Sequence, residues 1–366
     1  MARGTSTGGD VVKVSVDGVD LTKKIWTEFQ ESLRVKNEAR DNLLALFGFK
    51  TTAAGDVIAQ TTDVDDMELA SEWGVPKGLR APGTYLTLGF NFAWYDAATR
   101  FTWRALVDMD ASQVEAVHAA ALEADNRLLF KACFGALLNR ANRVNPEGLT
   151  VYALLNADGT VPPEYAGTTF TGSHDHYLVS GAATADGQDV VDLTRHVLHH
   201  GYGDASRGSR VVVFCHPNEA EVLRGVVKGA TSSADFVPSV SAPAYLTTQT
   251  LVGDRAPATL GRIPIFGSVG SAWLSESALI PAGYLVAVAV NGANDQRNVL
   301  AIREHVRSDL RGLRQIAGSN GDYPLQDSYY SRGFGTGVRQ RAGAAVMQIK
   351  AAGSYGVPAE FATVLA

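Results

Sequence analysis

The 366-residue sequence has only two cysteines, Cys133 and Cys215, which excludes a disulfide framework and favours synthesis in a reducing, intracellular compartment. Charged residues make up 19% of the chain, below the ~25% usual for soluble domains. The longest uncharged apolar run, Ala278–Val290, has 13 residues and contains a proline and a glycine, whereas a membrane-spanning helix needs about 20. No membrane protein or membrane partner is therefore expected. The low charge content is a first hint of large contacts between subunits.

The charges that are present are unevenly distributed. The net charge of −6 argues against general affinity for nucleic acid, which needs clustered lysine and arginine. An acidic strap from Thr51 to Glu72 has no basic residue, and Arg303–Arg341 holds seven arginines against four acids. The six acids of the strap are Asp56, Asp63, Asp65, Asp66, Glu68 and Glu72. The strap is either a solvated loop or a segment that finds arginines on a neighbouring subunit.

The clearest local pattern is an alternation of apolar and other residues over Thr84–Asp108. Asp96-Ala97-Ala98-Thr99 interrupts it and resembles a turn. A period of two predicts a β-hairpin with one apolar face, in which Trp94 faces Phe101 and Phe92 faces Trp103. Two strands alone are marginally stable, so this face lies either on the core of its own domain or under a neighbouring subunit.

Helical and strand patterns follow the predicted hairpin. Apolar residues at helical spacing predict one long helix over Gln113–Asn139. From about residue 189 the pattern alternates between helix and strand, which is typical of a compact α/β domain. The predicted helices are Val190–His200 and Asn218–Lys228, and the predicted strands are Arg210–Cys215, Ile263–Phe266, Tyr284–Val290, Val299–Arg303 and Ala344–Ile349.

Two glycine-containing motifs match catalytic or binding strings only superficially. Gly4–Gly8 matches the nucleophile-elbow string G-x-S-x-G, but no strand precedes it and no helix follows. The glycine-rich run Gly333–Gly337 precedes residues that alternate like a strand, not a phosphate-binding helix. This run is interpreted as a bend or as a site of close backbone packing.

The histidines give the only spacings typical of metal ligands. His174 and His176 form one pair, and His196, His199 and His200 form a second group on a predicted helix. Nothing in the sequence brings the two groups together, so they are interpreted as surface or capping histidines. Cys133 and Cys215 both fit small core residues. No catalytic residue, cofactor site or metal site is therefore predicted.

Several long segments resemble the major capsid proteins of tailed phages of actinobacteria. They include Gly148–Thr168 (GLTVYALLNADGTVPPEYAGT), His174–Gly203 (HDHYLVSGAATADGQDVVDLTRHVLHHGYG), Arg262–Ser268 (RIPIFGS), Ile280–Tyr284 (IPAGY) and parts of Arg303–Arg339. With the hairpin and the long helix, the resemblance covers most of residues 65–350. These proteins have the Hong Kong ninety-seven-type capsid fold, which is α+β.

The resemblance implies a domain layout. Residues 1–64 would be an N-terminal arm and 65–110 an extended loop carrying the β-hairpin. Residues 111–170 and 312–366 would form a peripheral domain with Gln113–Asn139 as its long spine helix. Residues 171–311 would form an axial α/β domain around the symmetry axes of pentamers and hexamers.

Contacts between subunits are the expected functional sites of such a protein. The predicted interface set comprises the apolar residues Leu86, Leu88, Phe90, Phe92, Trp94, Phe101 and Trp103, the acids Asp65, Asp66 and Glu68, and the arginines Arg332, Arg339 and Arg341.

The resemblance also implies a function and partners. The chain is expected to be a non-enzymatic major capsid protein that assembles with itself into the icosahedral shell around the double-stranded DNA genome. It is expected in the virion after assembly in the host cytoplasm. A separate scaffolding protein, a portal, a decoration protein and weak, non-specific contact with DNA are the further partners considered. The alternatives are an encapsulin-like nanocompartment shell and a soluble α/β metal-dependent hydrolase that uses the histidines.

Overall fold

The structure is a computed structural model of the chain. It describes residues 15–16, 19–20, 26–61, 67–70, 72–76, 78, 85–102, 104–105, 111–229, 232–240, 255–317 and 325–362. The described residues form both helices and strands, which confirms the predicted α+β class. None of the helices among the described residues is long and apolar enough to cross a membrane.

The secondary-structure elements are numbered here in chain order. The helices are α1 (Trp26–Ala45), α2 (Ala111–Leu138), α3 (Gly187–Leu198), α4 (Pro217–Arg224) and α5 (Ala359–Ala362). The strands are β1 (Ser15–Val16), β2 (Val19–Asp20), β3 (Gly48–Thr51), β4 (Gly55–Ala59), β5 (Tyr85–Gly89), β6 (Ala93–Thr102), β7 (Arg143–Val144), β8 (Thr150–Val151), β9 (Tyr177–Val179), β10 (Arg210–Cys215), β11 (Phe236–Pro238), β12 (Thr259–Leu260), β13 (Ile263–Pro264), β14 (Gly267–Val269), β15 (Ala272–Glu276), β16 (Tyr284–Val290), β17 (Leu300–Glu304), β18 (Arg314–Ala317), β19 (Leu325–Val338) and β20 (Ala344–Gln348).

The chain divides into two compact units. The first unit comprises Met1–Asn42, Phe92–Phe130 and Glu304–Gly335. The second comprises Leu43–Asn91, Lys131–Arg303 and Thr336–Ala366.

The second unit is built on a seven-stranded sheet of order β11-β14-β15-β10-β16-β20-β9. Strand β10 lies parallel to β15 and antiparallel to β16 at the centre of the sheet. Every residue of β16 is buried, which explains why Tyr284–Val290 is a continuous apolar run and not an alternating one. Helix α3 packs Val190, Leu193 and Val197 against this sheet, at the spacing of one helical face.

The first unit has a smaller sheet and its own core. Strand β19 pairs antiparallel with β18 on one side and with β6 on the other. Leu33, Leu313 and Tyr330 form a buried cluster, against which Ala121 and Leu122 of α2 pack.

The predicted β-hairpin is wrong. Strand β5 pairs with β4 (Gly55–Ala59), and β6 runs straight through the predicted turn at Asp96–Thr99 to pair with Leu325–Phe334 of β19. Alternation predicts a strand but does not identify its partner. The four turn residues contain no glycine or asparagine to favour a tight reversal, and the long β19 offers ten paired positions instead.

Most of the other predicted elements are confirmed. The strands Arg210–Cys215 and Tyr284–Val290 have the predicted bounds, and the long helix runs from Ala111 to Leu138. The helix predicted over Val190–His200 begins earlier, at Gly187, because Asp186 and Asp189 form a capping box there. The helix predicted over Asn218–Lys228 is α4, which is capped by His216 and ends at Arg224.

Candidate functional site

The apolar residues predicted at a subunit interface have very different exposures. Leu88 and Phe90 have no exposed surface and belong to a buried cluster with Ile58 and Ala301. The chain itself already covers both side chains, and their assignment to an intersubunit contact stays a prediction. Leu86 is partly buried against the same cluster.

The remaining aromatic residues of the set lie in the first unit, on or beside β6. The Trp94 side chain is 45% exposed, and Phe92 and Phe101 are half-buried. The Trp94 ring contacts Phe92 edge-on at 5.6 Å between centroids and His305 at 5.6 Å, and the Arg314 guanidinium lies 5.8 Å from it. These residues form a half-covered aromatic patch. Trp103 lies outside the described residues.

The end of the acidic strap and the residues directly after it contain the most exposed large apolar residues of the described chain. Met67, Leu69, Trp73 and Val75 are each 91–96% exposed, beside the exposed Glu68. We refer to residues 67–70 and 72–76 as the exposed loop. These apolar residues lie two or four positions apart, a spacing that is visible in the sequence but was not used to predict a contact. Asp65 and Asp66 of the predicted interface lie outside the described residues.

The three predicted interface arginines are buried within the chain. Arg332 makes two hydrogen bonds to the Asp125 carboxylate, at 2.5 and 3.0 Å, and Arg339 donates to Asp56 at 3.2 Å. Both guanidinium groups therefore already have a carboxylate partner within the chain, and pairing with the acids of a neighbour stays a prediction. Asp56 is itself an acid of the strap, so one strap–arginine pair does form, but within a single chain.

Arg341 is the largest fully buried side chain among the described residues. Its guanidinium donates to the carbonyls of Ala153 and Leu154 at 2.9 and 3.2 Å and to the Asp158 carboxylate at 2.8 Å. It also donates to the side-chain oxygens of Thr160 and Asn156. This is a structural arginine and not an exposed docking group.

The two groups of histidines, which were predicted to lie apart, meet in the second unit. His174 and His176 lie in the loop before β9, while His199 and His200 directly follow α3. The chain can turn there because Gly201 takes a φ of 79°, in the left-handed region that glycine enters without strain. The interpretation as separate surface or capping histidines is therefore wrong. We call His174, His176, His199 and His200 the histidine cluster.

The ligand atoms of the histidine cluster converge. All four lie within 4.8 Å of one another. The Nε2 atom of His200 lies 2.9 Å from that of His174 and 3.2 Å from that of His176. The Nε2 atom of His199 lies 3.3 Å from that of His174. The fifth histidine, His196, directs its Nε2 to the backbone carbonyl of Asp175 at 2.8 Å and is not part of the set.

Burial keeps these imidazoles neutral. It lowers the pKa of both His174 and His199 to about 4, with His196 as the next cause. The pKa of the fully buried His176 lies well below its ordinary value, because of burial and then of the neighbouring imidazoles. A neutral imidazole has one ring nitrogen whose lone pair can accept a proton or bind a metal.

The two cysteines are confirmed as core residues. Cys133 and Cys215 are both buried, and burial raises the pKa of each thiol to about 12. Neither is a candidate nucleophile. The elbow-like string at Gly4–Gly8 lies outside the described residues. The run Gly333–Gly337 lies in β19, where the close packing expected of it is found against Trp94 and Phe90.

Comparison with solved structures places the chain among known proteins. It is similar to a chain in a structure of Mycobacterium phage Patience, with 36% sequence identity over 99% of this chain and 97% of that chain and a TM-score of 0.68. A chain from the capsid of an empty GTA particle is 17% identical over 84% of this chain and 90% of its own, with a TM-score of 0.47. The holo-SrpI encapsulin of Synechococcus elongatus PCC 7942 is 11% identical over 88% and 92%, with a TM-score of 0.43. Likenesses at TM-scores below 0.5 carry no argument about this chain. No family model and no curated protein matches the sequence.

Proposed function

This chain belongs to the major capsid proteins of tailed phages, with the Hong Kong ninety-seven-type fold, and we propose that its copies assemble as pentamers and hexamers into an icosahedral shell around a double-stranded DNA genome. The observation that carries the proposal is the 36% identity to a phage structure over 99% of the chain. Proteins of this family are structural and not enzymes. We extend that to this chain and assign it no catalytic role.

The exposed loop is our candidate for the main contact with a neighbouring copy. Burying Met67, Leu69, Trp73 and Val75 is worth about 1.5–3 kcal/mol for each side chain, or roughly 6–12 kcal/mol before the costs of ordering and association. A lone chain leaves that surface in water, whereas a closed shell supplies the same partner surface at every position. The charge of Glu68 at the same place suits a contact with a polar rim.

The aromatic patch around Trp94 is a second candidate contact. Its ring is half covered by Phe92, His305 and Arg314, so a neighbouring copy has to cover only the remainder. Phe101 and Leu86 stay predictions as interface residues. The layout of arm, extended loop, peripheral domain and axial domain also stays a proposal.

We place the assembled protein in the virion, after assembly in the host cytoplasm. Its partners would be further copies of itself, a separate scaffolding protein, a portal and a decoration protein. The net charge of −6 supports weak, non-specific contact with the packaged DNA, which a shell must later release. An encapsulin-like compartment and a metal-dependent hydrolase are not retained, because the relative that shows the family belongs to a phage.

The exposed loop gives a direct test of assembly. The full chain would be co-expressed with its neighbouring phage genes, as wild type and as Leu69→Asp with Trp73→Asp, and particles measured by light scattering and negative-stain imaging. Wild type is expected to form closed shells. The double variant is expected to lose at least nine-tenths of them, because a buried unpaired carboxylate is costly in an apolar contact.

The matched control is Leu69→Met with Trp73→Phe, which keeps both side chains apolar and is expected to assemble. Circular dichroism would show that the acidic variant stays folded, as both positions lie more than nine-tenths exposed. Shell formation by the acidic variant at wild-type yield would contradict the role of the loop only. A wild-type chain that stays monomeric with all its phage partners present would contradict the capsid function itself.

A further inference from the structure

The histidine cluster has a geometry that a shell protein does not require. Four imidazoles from two separate segments place their ligand atoms within 4.8 Å of one another. We infer that His174, His176, His199 and His200 form a structural binding site for one divalent transition-metal ion, with Zn²⁺ as the preferred occupant.

The shorter spacings of the nitrogens are close to those of a tetrahedral site. Zinc binds imidazole nitrogen at about 2.0–2.1 Å, so two ligand atoms on a tetrahedron lie about 3.3–3.4 Å apart. Three of the six Nε2–Nε2 separations in the cluster are 2.9, 3.2 and 3.3 Å, and the four ligand atoms all lie within 4.8 Å of one another. Bonded geometry requires the shortest separation to lengthen by about 0.4 Å and the widest to shorten by up to about 1.5 Å, which rotations of the imidazole rings can supply.

The surroundings of His176 hold its ring in the correct orientation and tautomer. Its Nδ1 lies 2.6 Å from the Ala344 carbonyl oxygen, which can only accept a hydrogen bond, so the proton is on Nδ1. The Nε2 lone pair is then directed into the cluster. Metal-binding histidines almost always donate their second ring N–H to a carbonyl or carboxylate in this way.

The backbone and a neighbouring ring fix the other members. The His174 amide donates to the Thr171 carbonyl at 3.0 Å, and the His200 amide donates to the Val197 carbonyl at 3.3 Å. Phe170 stacks on the His200 ring at 4.1 Å between centroids and shields one side of the cluster. These contacts hold the loop before β9 and the end of α3 in place without a metal.

The donor set selects the class of ion. Four imidazoles without a carboxylate suit zinc, copper or nickel and do not suit calcium or magnesium, which prefer oxygen. Four protein ligands complete a tetrahedral shell and leave no position for water or substrate. The site is therefore structural, and it would fasten the end of α3 to the segment leading into the edge strand β9.

Zinc and cobalt binding to the full-length protein would test this site. The protein would be stripped with a chelator, dialysed, and titrated with Zn²⁺ alone and with Co²⁺ alone. One zinc per chain by mass spectrometry, a higher melting temperature and the intense visible absorption of tetrahedral Co²⁺ are expected. Wild-type protein without zinc binding, or with only the weak spectrum of octahedral cobalt, would overturn the inference and leave a hydrogen-bonded histidine network.

Paired variants locate the bound ion. His174→Gln with His199→Gln changes two half-buried ligands and is expected to weaken zinc binding by at least the roughly 10–100-fold that loss of an outer-shell partner alone produces. The control is His216→Asn, outside the cluster, since asparagine can still accept the Asn218 amide that His216 Nδ1 caps at 3.2 Å. Unchanged binding in the double variant, or loss of binding in the control, would contradict the assignment. If the double variant fails to fold, the cobalt spectrum of wild type decides alone.

Discussion

At the scale of single residues, Arg341 shows that a charged residue of the sequence can be buried inside the chain and so need not lie on a contact surface. Its side chain is 1% exposed, and its guanidinium is satisfied by carbonyls and side chains of Val151–Thr160 and by the Tyr152 ring, 4.7 Å away. Burial opposes ionisation of Asp158, but hydrogen bonds from Arg341, Asn142 and Thr160 lower its pKa to about 2. Asp158 is therefore ionised in the folded chain at neutral pH.

Replacing this arginine is expected to destabilise the fold severely. Arg341→Met keeps the length of the side chain but leaves the Ala153 and Leu154 carbonyls without this donor and removes one of the hydrogen bonds to Asp158. Leaving a buried polar group without its partner costs about 1–3 kcal/mol in the free energy of unfolding, and two carbonyls are affected here. Urea unfolding of the unassembled chain measures this cost.

The matched control is Arg307→Met, because Arg307 pairs with Asp309 on the open surface. Exposed ion pairs contribute little, so its unfolding midpoint should stay close to that of wild type. Equal effects of the two substitutions would show that burial is not what makes Arg341 important.

The histidines show what could be predicted at this scale and what could not. The spacings of His174 with His176, and of His196 with His199 and His200, were visible in the sequence. Their meeting depends on the turn at Gly201 and on the position of β9 beside β20, which a single sequence does not reveal. Chain topology brings the ligands together, and local spacing alone cannot predict it.

At the scale of elements, strands with two buried faces were the most predictable. β10 and β16 are continuous apolar runs, and both appear with the predicted bounds. The hairpin prediction failed although β6 was recognised as extended, because its partner is more than 220 residues away in the sequence. Local alternation carries no information about so distant a partner.

The pairing of β6 with β19 gives a testable consequence at Gly333. This residue lies opposite Trp94, and a methyl group on it would come within 2.6 Å of the Trp94 ring. Gly333→Ala is therefore expected to displace the ring and lower the free energy of unfolding by about 1–3 kcal/mol. Thermal or urea unfolding measures the change.

A double-mutant cycle separates the cost of this clash from any change in backbone preference when glycine is replaced by alanine. In a Trp94→Ala background the same Gly333→Ala change should cost close to nothing, because the ring that it strikes is absent. A cost that is the same in both backgrounds would contradict the pairing of the two strands at this register.

At the scale of the whole molecule, the fold and the family could be predicted because long segments resemble those of known capsid proteins. The exposure of single residues could not be predicted from the same information. Leu88 and Leu69 are both leucines, yet one has no exposed surface and the other is 96% exposed. Burial depends on which strands pair, and it decides which apolar residues remain for a neighbour.

The two thiols provide a probe of the stability of the second unit, to which both belong. Cys133 and Cys215 are buried, and their raised pKa keeps them protonated and unreactive at mildly alkaline pH. The native chain is therefore expected to show no thiol that reacts rapidly with a disulfide reagent, and both should react in concentrated guanidinium chloride.

Ser206→Cys, at an exposed position, is the control and should react at once. Under native conditions the slow reaction of Cys215, in the central strand β10, should follow global opening of the unit, so that its rate rises in Arg341→Met. Rapid stoichiometric reaction of the native wild-type chain would show that this core opens far more readily than its packing implies.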